Sequence, residues 1–361
     1  MRRIHLVAGA RPNFMKVAPV FHALARSQWA TPLLVHTGQH FSADMSDVFI
    51  TDLGLPSPHV HLNASGDTHA TQTAAVMTAY EAACLRDRPD WVVVVGDVNS
   101  TLGACLAAKK VNLPVAHLEA GLRSGDRTMP EEINRVVVDA VADLLWTPSP
   151  DADDNLRREG IAADRIERVG NVMIDAYVLM ETAIDRAAMP AVLGLTPRGY
   201  AVVTMHRPSN VDDAAQLSEV VGQLVRMQAR IPVVFPVHPR TRARLDQYGL
   251  MARLTGAGVR LEGPLPYPQF MSLVKSSAIV VTDSGGVQEE TTYLGIPCVT
   301  VRPTTERPIT VTQGTNRLVG VAAMDDALAT AIATPTARPV IALWDGQTGT
   351  RVAASLRTRC G

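Results

Sequence analysis

The sequence predicts an α/β protein of two doubly wound Rossmann-like domains with an interdomain cleft. Short apolar, β-branched runs alternate with stretches of helical spacing along the chain, which is typical of parallel sheets. The alternation pauses at residues 185–199, which are rich in Pro and Gly, and then restarts. Glycine and polar residues follow the apolar runs directly, at the strand ends where such sheets bind ligands.

The order of the predicted elements gives the domain boundaries. The first half has predicted strands at residues 4–8, 33–36, 91–95, 115–118 and 144–147, and predicted helices at 71–85, 101–110 and 131–142. The second half has predicted strands at 201–205, 233–237, 279–281 and 298–301, and predicted helices at 214–227 and 287–294. We therefore predict an N-terminal domain at 1–170 that carries catalytic carboxylates and a C-terminal nucleotide-binding domain at 171–345. A final helix at about 346–361 is predicted to pack back on the first domain.

Composition excludes several classes of function. The chain has 361 residues, 47% hydrophobic content and a net charge of −1, so it is globular and has no overall field for nucleic acid. Its four cysteines form no CxxC pair, which argues against a structural zinc site. The N-terminus resembles a signal peptide, but Arg11 and Lys16 interrupt it, and a strand that runs into a helix explains it better. Because no apolar run approaches the roughly 20 residues that span a bilayer, we expect a cytoplasmic protein without a membrane partner.

The stretch at residues 278–307 has the pattern strand, glycine turn, helix, strand. Gly285 and Gly286 allow a ligand to approach the backbone, and N–H groups at the following helix start attract an anion. Glu290, one turn into the helix, is suited to accept hydrogen bonds from a sugar hydroxyl. A plain turn, with acids that complement the helix dipole, is the commoner structure for such a stretch.

Basic residues follow strand ends in both halves. Arg11 and Lys16 at the start of the first helix form either a phosphate-binding arrangement or a solvated pair. No GxGxxG pattern is present, so a nicotinamide cofactor is not indicated. In the second half, His206 with Arg207 ends one predicted strand and His238 ends another. A lone histidine is usually structural, but two at equivalent strand ends favour a site.

Three acids stand at strand or helix ends of the first half. Asp97 ends the third strand, where it or Ser100 could cap the next helix. Glu119 follows an apolar strand directly and has little structural reason to be there. Glu131 opens a helix with Arg135 one turn later, where an acid commonly complements the dipole. Paired carboxylates also fit glycoside hydrolysis or a divalent metal site.

The chain as a whole resembles the non-hydrolysing UDP-N-acetylglucosamine 2-epimerases, which have the two-domain glycosyltransferase-B fold. The resemblance rests on stretches in the family's order: GARPNFMKVAP, TGQH, GDVNST, HLEAGLRSGDRTMPEEINR, VGNVMID, VTMHRPSNVD, PVHPRT, DSGGVQEETTYLGIPCVTVRPTTERP and GTNRLVG. It implies residues that hold the nucleotide and diphosphate: Arg11, His238, Phe270, Ser284, Gly285, Gly286, Glu290 and Arg307. It also implies residues around the sugar and its leaving group: Lys16, Asp97, Glu119, Glu131, Arg135, His206 and Arg207.

The resemblance implies a chemistry that needs neither a redox cofactor nor a metal. UDP is eliminated across C1–C2 of the sugar, which leaves a 2-acetamidoglucal, and re-addition from the opposite face inverts C2. The candidates that move the C2 proton are Asp97, Glu119 and Glu131, while His206 assists departure of the diphosphate. The resemblance further implies a UDP-sugar substrate, a homodimer and a place in polysaccharide biosynthesis.

Two stretches depart from the family pattern. Pro208–Ser209–Asn210 replaces the usual residues after the His206–Arg207 pair, near the sugar or phosphates. Phe41–Ser42–Ala43–Asp44 replaces a charged stretch of the family's activating second substrate site, which predicts that this site is absent or accepts another sugar nucleotide.

Three other functions compete with the epimerase. These are a hydrolysing 2-epimerase that releases UDP and free N-acetylmannosamine, a glycosyltransferase of the same architecture, and a non-catalytic nucleotide-sugar sensor. The three N-terminal acids argue against the sensor, and HLEAGLRSGD at the strand end argues against the transferase. A 2-epimerase for another nucleotide sugar also remains open.

Overall fold

The computed structural model describes residues 1–38, 50–334 and 337–360, apart from the side chain of Arg11. The four residues at 41–44, on which the predicted loss of the activating site depends, lie outside the described residues. That expectation therefore stays a prediction.

The chain folds into two units. Unit 1 comprises Met1–Leu179 and Ala342–Gly361, and unit 2 comprises Met180–Ile341. Each unit has its own parallel sheet with helices, so the predicted α/β class with two doubly wound domains is confirmed. Among the described residues, no helix has both the length and the apolar character that a membrane crossing requires.

Strands and helices alternate along most of the chain. The strands are β1 (Arg2–Ala8), β2 (Ala30–His36), β3 (Val60–His61), β4 (Trp91–Val95), β5 (Val115–Leu118), β6 (Leu144–Thr147), β7 (Ile166–Arg168), β8 (Ala201–Thr204), β9 (Val233–Pro236), β10 (Arg260–Glu262), β11 (Ile279–Thr282), β12 (Cys298–Val301) and β13 (Asn316–Val319). The α-helices are α1 (Arg11–Ala25), α2 (His69–Asp87), α3 (Asn99–Lys110), α4 (Pro130–Val141), α5 (Pro150–Arg158), α6 (Val172–Ala187), α7 (Met189–Val192), α8 (Pro208–Val211), α9 (Ala214–Gln228), α10 (Pro239–Gln247), α11 (Met251–Gly256), α12 (Tyr267–Ser276), α13 (Gly285–Leu294), α14 (Ile309–Thr312), α15 (Met324–Ala333) and α16 (Thr348–Arg359). Single 3₁₀ turns form at Ala163–Arg165 and Val321–Ala323.

The strand order places the ligand-binding edge of each sheet. The order in unit 1 is β3-β2-β1-β4-β5-β6-β7, and in unit 2 it is β10-β9-β8-β11-β12-β13. All pairings between neighbours are parallel. The direction of winding reverses between β1 and β4 in unit 1, and between β8 and β11 in unit 2. The loops that follow these four strands therefore border the positions where such sheets bind ligands.

The central strands form because their sequences are apolar and mostly β-branched, so they can be buried on both faces. In β4, the residues after Trp91 are four consecutive valines, all of which are buried. Helix α16 belongs to unit 1, where the indole Nε1 of the buried Trp146 donates to Ser355 Oγ at 3.0 Å. Gly349 lets α16 approach α1, since a Cβ at this position would lie 2.6 Å from the carbonyl oxygen of Pro19.

Three local expectations are wrong. Helix α13 begins at Gly285 with Ser284 as its N-cap, so the glycines form its first turn instead of a separate turn before Val287. Helix α3 is preceded by Val98 as N-cap, so neither Asp97 nor Ser100 caps it.

The third concerns α4, where helical spacing places Ile133, Val136, Val137 and Ala140 on one side and so suggests that this side is buried. The helix instead buries Glu132, Asn134, Arg135, Val138 and Asp139, whereas Ile133 is exposed. Polar side chains face the sheet here because they find charged and hydrogen-bonding partners there, which periodicity alone does not reveal.

Candidate active site

A buried ion pair joins helix α1 to the loop after β5 in unit 1. Lys16, in the second turn of α1, contacts the Oε2 atom of Glu119, and both residues are less than a tenth exposed. Gly96 lies against this pair, since a Cβ there would be 3.0 Å from Lys16 Nζ and 3.4 Å from Glu119 Oε2. Glu119 has a φ of +74°, which is uncommon outside glycine and which clusters at functional sites.

Arg135 holds a second acid of unit 1 in place. Its Nε and one terminal nitrogen donate to Asp97 Oδ2 at 3.0 and 2.6 Å, and its other terminal nitrogen donates to Glu132 Oε2 at 2.6 Å. Burial acts to raise the pKa of Glu132, but hydrogen bonds from the backbone of Ser124 and Gly125 and from Arg135 outweigh it and lower that pKa. Arg135 thus holds Asp97 in place, and the ionised Glu132 holds Arg135 in place.

Glu131 lies on the same face of α4 as the residues that contact Asp97. Asn134 and Arg135 follow it by three and four positions, and Asn134 Nδ2 donates to the Asp97 carbonyl at 2.8 Å. Glu131 is half-buried and has no hydrogen bond or ion pair with the described part of the chain. No cation among the described residues therefore neutralises its carboxylate.

In unit 2, a buried carboxylate orients the predicted histidine. Asp283 accepts hydrogen bonds from the backbone N–H groups of His206 and Arg207, and from Asn210 Nδ2 at 3.1 Å. The His206 Nδ1 atom lies 2.9 Å from Asp283 Oδ1, which leaves Nε2 for a ligand. Burial acts to raise the pKa of Asp283, but hydrogen bonds from His206, Arg207 and Asn210 lower it. Asn210, which lies in the stretch 208–210 that differs from the family pattern, therefore helps to hold the Asp283 carboxylate in place.

The second histidine of unit 2 caps a helix. His238 Nδ1 accepts from Arg240 N at 3.2 Å at the start of α10, so Nε2 carries the hydrogen. The centroids of the His238 and His206 rings are 5.3 Å apart. Partial burial and the nearby His206 lower the pKa of His238. His238 thus caps a helix through one ring nitrogen and carries its hydrogen on the other.

Helices α12 and α13 meet around a buried acid. The hydroxyl of Tyr267 donates to Glu290 Oε1 at 2.7 Å, and Phe270 follows Tyr267 by three positions on the same helix face. Burial raises the pKa of Glu290 to about 8, with the charge of Glu289 adding to the effect. The N-terminus of α13, which begins at Gly285 and Gly286, presents first-turn N–H groups that favour an anion.

Cations and acids alternate beside the start of α13. Arg307 Nε lies 3.0 Å from Glu289 Oε2, and one of its terminal nitrogens donates to Glu306 Oε1 at 2.5 Å. Glu306 also pairs with Arg302 at 2.9 Å. Gly285 leaves space for this cluster, because a Cβ there would lie 2.5 Å from an Arg307 nitrogen.

A further cation of unit 2 has a buried orphan donor. Arg207 follows β8, and its Nε atom is buried without a hydrogen-bond partner among the described residues. Buried donors of this kind normally have partners. The position therefore suits a ligand with acceptor oxygens.

The structure groups most of the predicted residues, but in two separate sets. Unit 1 brings together Lys16, Asp97, Glu119, Glu131 and Arg135, and unit 2 contains His206, Arg207, His238, Phe270, Ser284, Gly285, Gly286, Glu290 and Arg307. The side chain of Arg11 lies outside the described residues, although its backbone opens α1. Sequence reasoning missed the partners that hold these side chains: Glu132, Tyr267, Asp283, Glu289, Arg302 and Glu306. Among the described residues, no three His, Cys, Asp or Glu side chains are placed to hold a metal ion.

Comparison with known proteins gives the same family throughout. The family model for UDP-N-acetylglucosamine 2-epimerase matches residues 22–357. A Pseudomonas aeruginosa UDP-2,3-diacetamido-2,3-dideoxy-D-glucuronate 2-epimerase is 42% identical over 89% of each chain. A UDP-N-acetylglucosamine 2-epimerase of Methanocaldococcus jannaschii is 38% identical over 88% of each chain.

Solved structures agree with these matches. The M. jannaschii UDP-GlcNAc 2-epimerase in complex with UDP-GlcNAc and UDP has a TM-score of 0.89 to this chain, at 35% identity and 99% coverage of both chains. The Neisseria meningitidis enzyme bound to UDP-GlcNAc also has a TM-score of 0.89, at 26% identity, with 99% of this chain and 100% of that chain covered. The predicted glycosyltransferase-B fold is confirmed by these matches.

Proposed function

This chain belongs to the UDP-N-acetylglucosamine 2-epimerase family, and we propose that it interconverts UDP-N-acetylglucosamine and UDP-N-acetylmannosamine or a related pair of UDP-2-acetamido sugars. The observation that carries the proposal is the unit 1 set of acids and cations. It combines the Lys16–Glu119 ion pair, the Asp97–Arg135 ion pair and the uncompensated Glu131. A reaction that removes and returns a proton at a weakly acidic carbon needs several such groups.

The chemistry proceeds by elimination and re-addition. A base takes the hydrogen from C2, the C1–O bond breaks, and its electron pair leaves with the β-phosphate of UDP. The resulting 2-acetamidoglucal accepts UDP again at C1 and a proton at C2 from the opposite face, which yields the epimer. Asp97, Glu119 and Glu131 share the proton transfers. Lys16 and Arg135 keep two of these acids oriented.

Unit 2 supplies the nucleotide and leaving-group contacts. Glu290 accepts from the ribose hydroxyls, and Phe270 lines the nucleotide position. The diphosphate interacts with Ser284 and the first turn of α13, together with Arg207 and Arg307. His206, oriented by Asp283, donates from Nε2 to the departing diphosphate, while His238 donates from its own Nε2. The orphan Nε of Arg207 supports this assignment, since a diphosphate oxygen would satisfy it.

A UDP-2-acetamido uronate is the second candidate substrate. The observation that favours it is the relative named for UDP-2,3-diacetamido-2,3-dideoxy-D-glucuronate, at 42% identity. Purified protein should be incubated separately with that nucleotide sugar and with UDP-N-acetylglucosamine. Separation of the intact nucleotide sugars by anion exchange then reports the epimer in each case. Accumulation of UDP and free sugar, without an epimeric nucleotide sugar, would favour the hydrolysing alternative instead.

A homodimer fits the surface of unit 1. Ile133 is 43% exposed on α4, next to the half-buried Val136 and Val137, and Leu85 of α2 is 53% exposed. A second copy of the chain would remove such exposed apolar side chains from water. Light scattering should therefore give twice the chain mass, and Ile133→Asp should shift it toward the monomer. A monomeric wild-type protein contradicts the dimer. The cytoplasmic location stays a prediction.

A further inference from the structure

A chain of buried charges lies behind the unit 1 acids, and no proposed chemical step uses it. Asp139 of α4 accepts from His117 Nδ1 at 2.6 Å and from Gly121 N at 3.0 Å, and its Oδ2 lies 2.8 Å from an Arg123 nitrogen. His117 and Asp139 are completely buried. Arg123 also donates to the Glu159 carboxylate at 2.8 and 2.7 Å. The chain of charges thus runs from the surface into the interior of unit 1.

The inner end of this chain contacts the loop that bears Asp97. His117 Nε2 lies 2.8 Å from the carbonyl oxygen of Gly96. A carbonyl and a carboxylate only accept hydrogen bonds, so both ring nitrogens of His117 must donate and the ring is an imidazolium. Asp139 balances its charge. Burial acts to raise the pKa of Asp139, but His117 and Arg123 outweigh it and lower that pKa.

The backbone atoms that this group contacts flank the proposed catalytic acids. Gly96 immediately precedes Asp97 and lies against the Lys16–Glu119 pair. Glu119 stands between His117 and Gly121, and both Glu119 and Gly121 have positive φ. Gly96 N also donates to the Leu118 carbonyl at 3.1 Å, so the two loops are linked.

We propose that His117, Asp139 and Arg123 are positioning residues, which fix the Gly96 and Gly121 backbone and thereby the carboxylates of Asp97 and Glu119. This inference rests on the proposed function, because those acids are assigned the proton transfers. Displacement of a reacting group by about 1 Å can cost on the order of a hundredfold in rate. The same displacement leaves UDP binding nearly unchanged, since the UDP contacts are assigned mainly to unit 2.

The kinetic test compares Asp139→Asn with a matched control. An amide in place of Asp139 cannot accept from His117 and from the Gly121–Arg123 side at once, so kcat should fall about a hundredfold while the Kd for UDP stays within about twofold. His5→Gln is the control, because His5 is also completely buried in the unit 1 sheet but bonds Tyr80, away from the acids. It should keep kcat within about twofold. Equal kcat values for both variants would overturn the proposal.

A spectroscopic test needs neither turnover nor the Asp139→Asn variant. In ¹⁵N-histidine-labelled wild-type protein, His117 should show two N–H signals at neutral pH, assigned by their loss in His117→Gln or from backbone correlations. A single N–H signal from His117 would overturn the proposal even if Asp139→Asn is inactive. If wild-type protein fails to turn over any UDP-2-acetamido sugar, the proposed function fails, and the two N–H signals still decide whether this positioning group exists.

Discussion

Replacing Glu290 with glutamine should change how UDP affinity depends on pH. Burial raises the pKa of the Glu290 carboxyl to about 8. Ribose hydroxyls donate hydrogen bonds, so the bound state favours the ionised carboxylate. At pH 7 roughly one Glu290 in ten is ionised in the free protein, and UDP binding should therefore release about one proton. The affinity rises with pH until the free carboxyl is ionised, so UDP should bind about tenfold more weakly at pH 7 than at pH 9.

Calorimetry at pH 7, 8 and 9, in pairs of buffers with different ionisation enthalpies, measures both quantities. Glu290→Gln retains an oxygen that accepts from Tyr267 but loses the charge and the titration. Its affinity should be nearly independent of pH, and at pH 9 it should be about ten- to a hundredfold below wild type. Identical pH dependence in the two proteins, or wild-type binding without proton release, would refute the reasoning.

Four further predictions concern turnover, UDP binding, stability and kinetics. Amide replacement of each proposed proton carrier should reduce turnover by about a hundred- to ten-thousand-fold while the protein stays folded, and near wild-type rates in all three variants would remove the assignment: Asp97→Asn, Glu119→Gln and Glu131→Gln. Gly285→Ala should displace Arg307 and weaken UDP binding at least about tenfold. Gly263→Ala is the control, because a Cβ at 263 meets nothing within 4 Å, and it should leave UDP binding unchanged. Equal UDP affinities of the two variants would contradict this. Burial lowers the pKa of His5 to about 4, below the roughly 6.5 of an unfolded chain. The free energy of unfolding of the wild type should therefore fall by up to about 3 kcal/mol as pH drops from 6.5 to 4. An equal fall in the free energy of unfolding of His5→Gln would contradict this. Velocity should depend hyperbolically on substrate concentration, and a reverse reaction that needs a trace of the gluco epimer would reveal an activating site despite the altered stretch at 41–44.

The central strands of both sheets were predictable because they are buried, whereas the edge strands β3, β7, β10 and β13 are partly exposed and were not predicted. Runs such as Trp91–Val95 and Val115–Leu118 are recognisable by their continuous apolar composition, and the structure places strands there. The first residues of helices were harder to predict from the sequence. The first turn of α13 is formed by Gly285 and Gly286, residues of low helix propensity, and a side chain at 285 would collide with Arg307.

The site was predictable only in part. Acids and cations at strand ends could be named, but their pairings join residues far apart in the chain, such as Lys16 with Glu119. The buried face of α4 was missed because Asp139 and Arg135 have ion-pair partners on other elements. Likewise, the sequence predicted Glu131 as a site residue but not the adjacent Glu132, whose carboxylate forms the ion pair with Arg135.

Solvent deuterium tests the elimination mechanism most directly. Protein and UDP-N-acetylglucosamine, or the diacetamido uronate analogue, are incubated in deuterated water, and the intact nucleotide sugars are followed by proton NMR. The mechanism predicts that the C2 proton signal disappears from the epimeric product, with UDP still attached to C1. An epimeric nucleotide sugar that retains its C2 proton would contradict proton removal at C2, and with it the roles given to Asp97, Glu119 and Glu131.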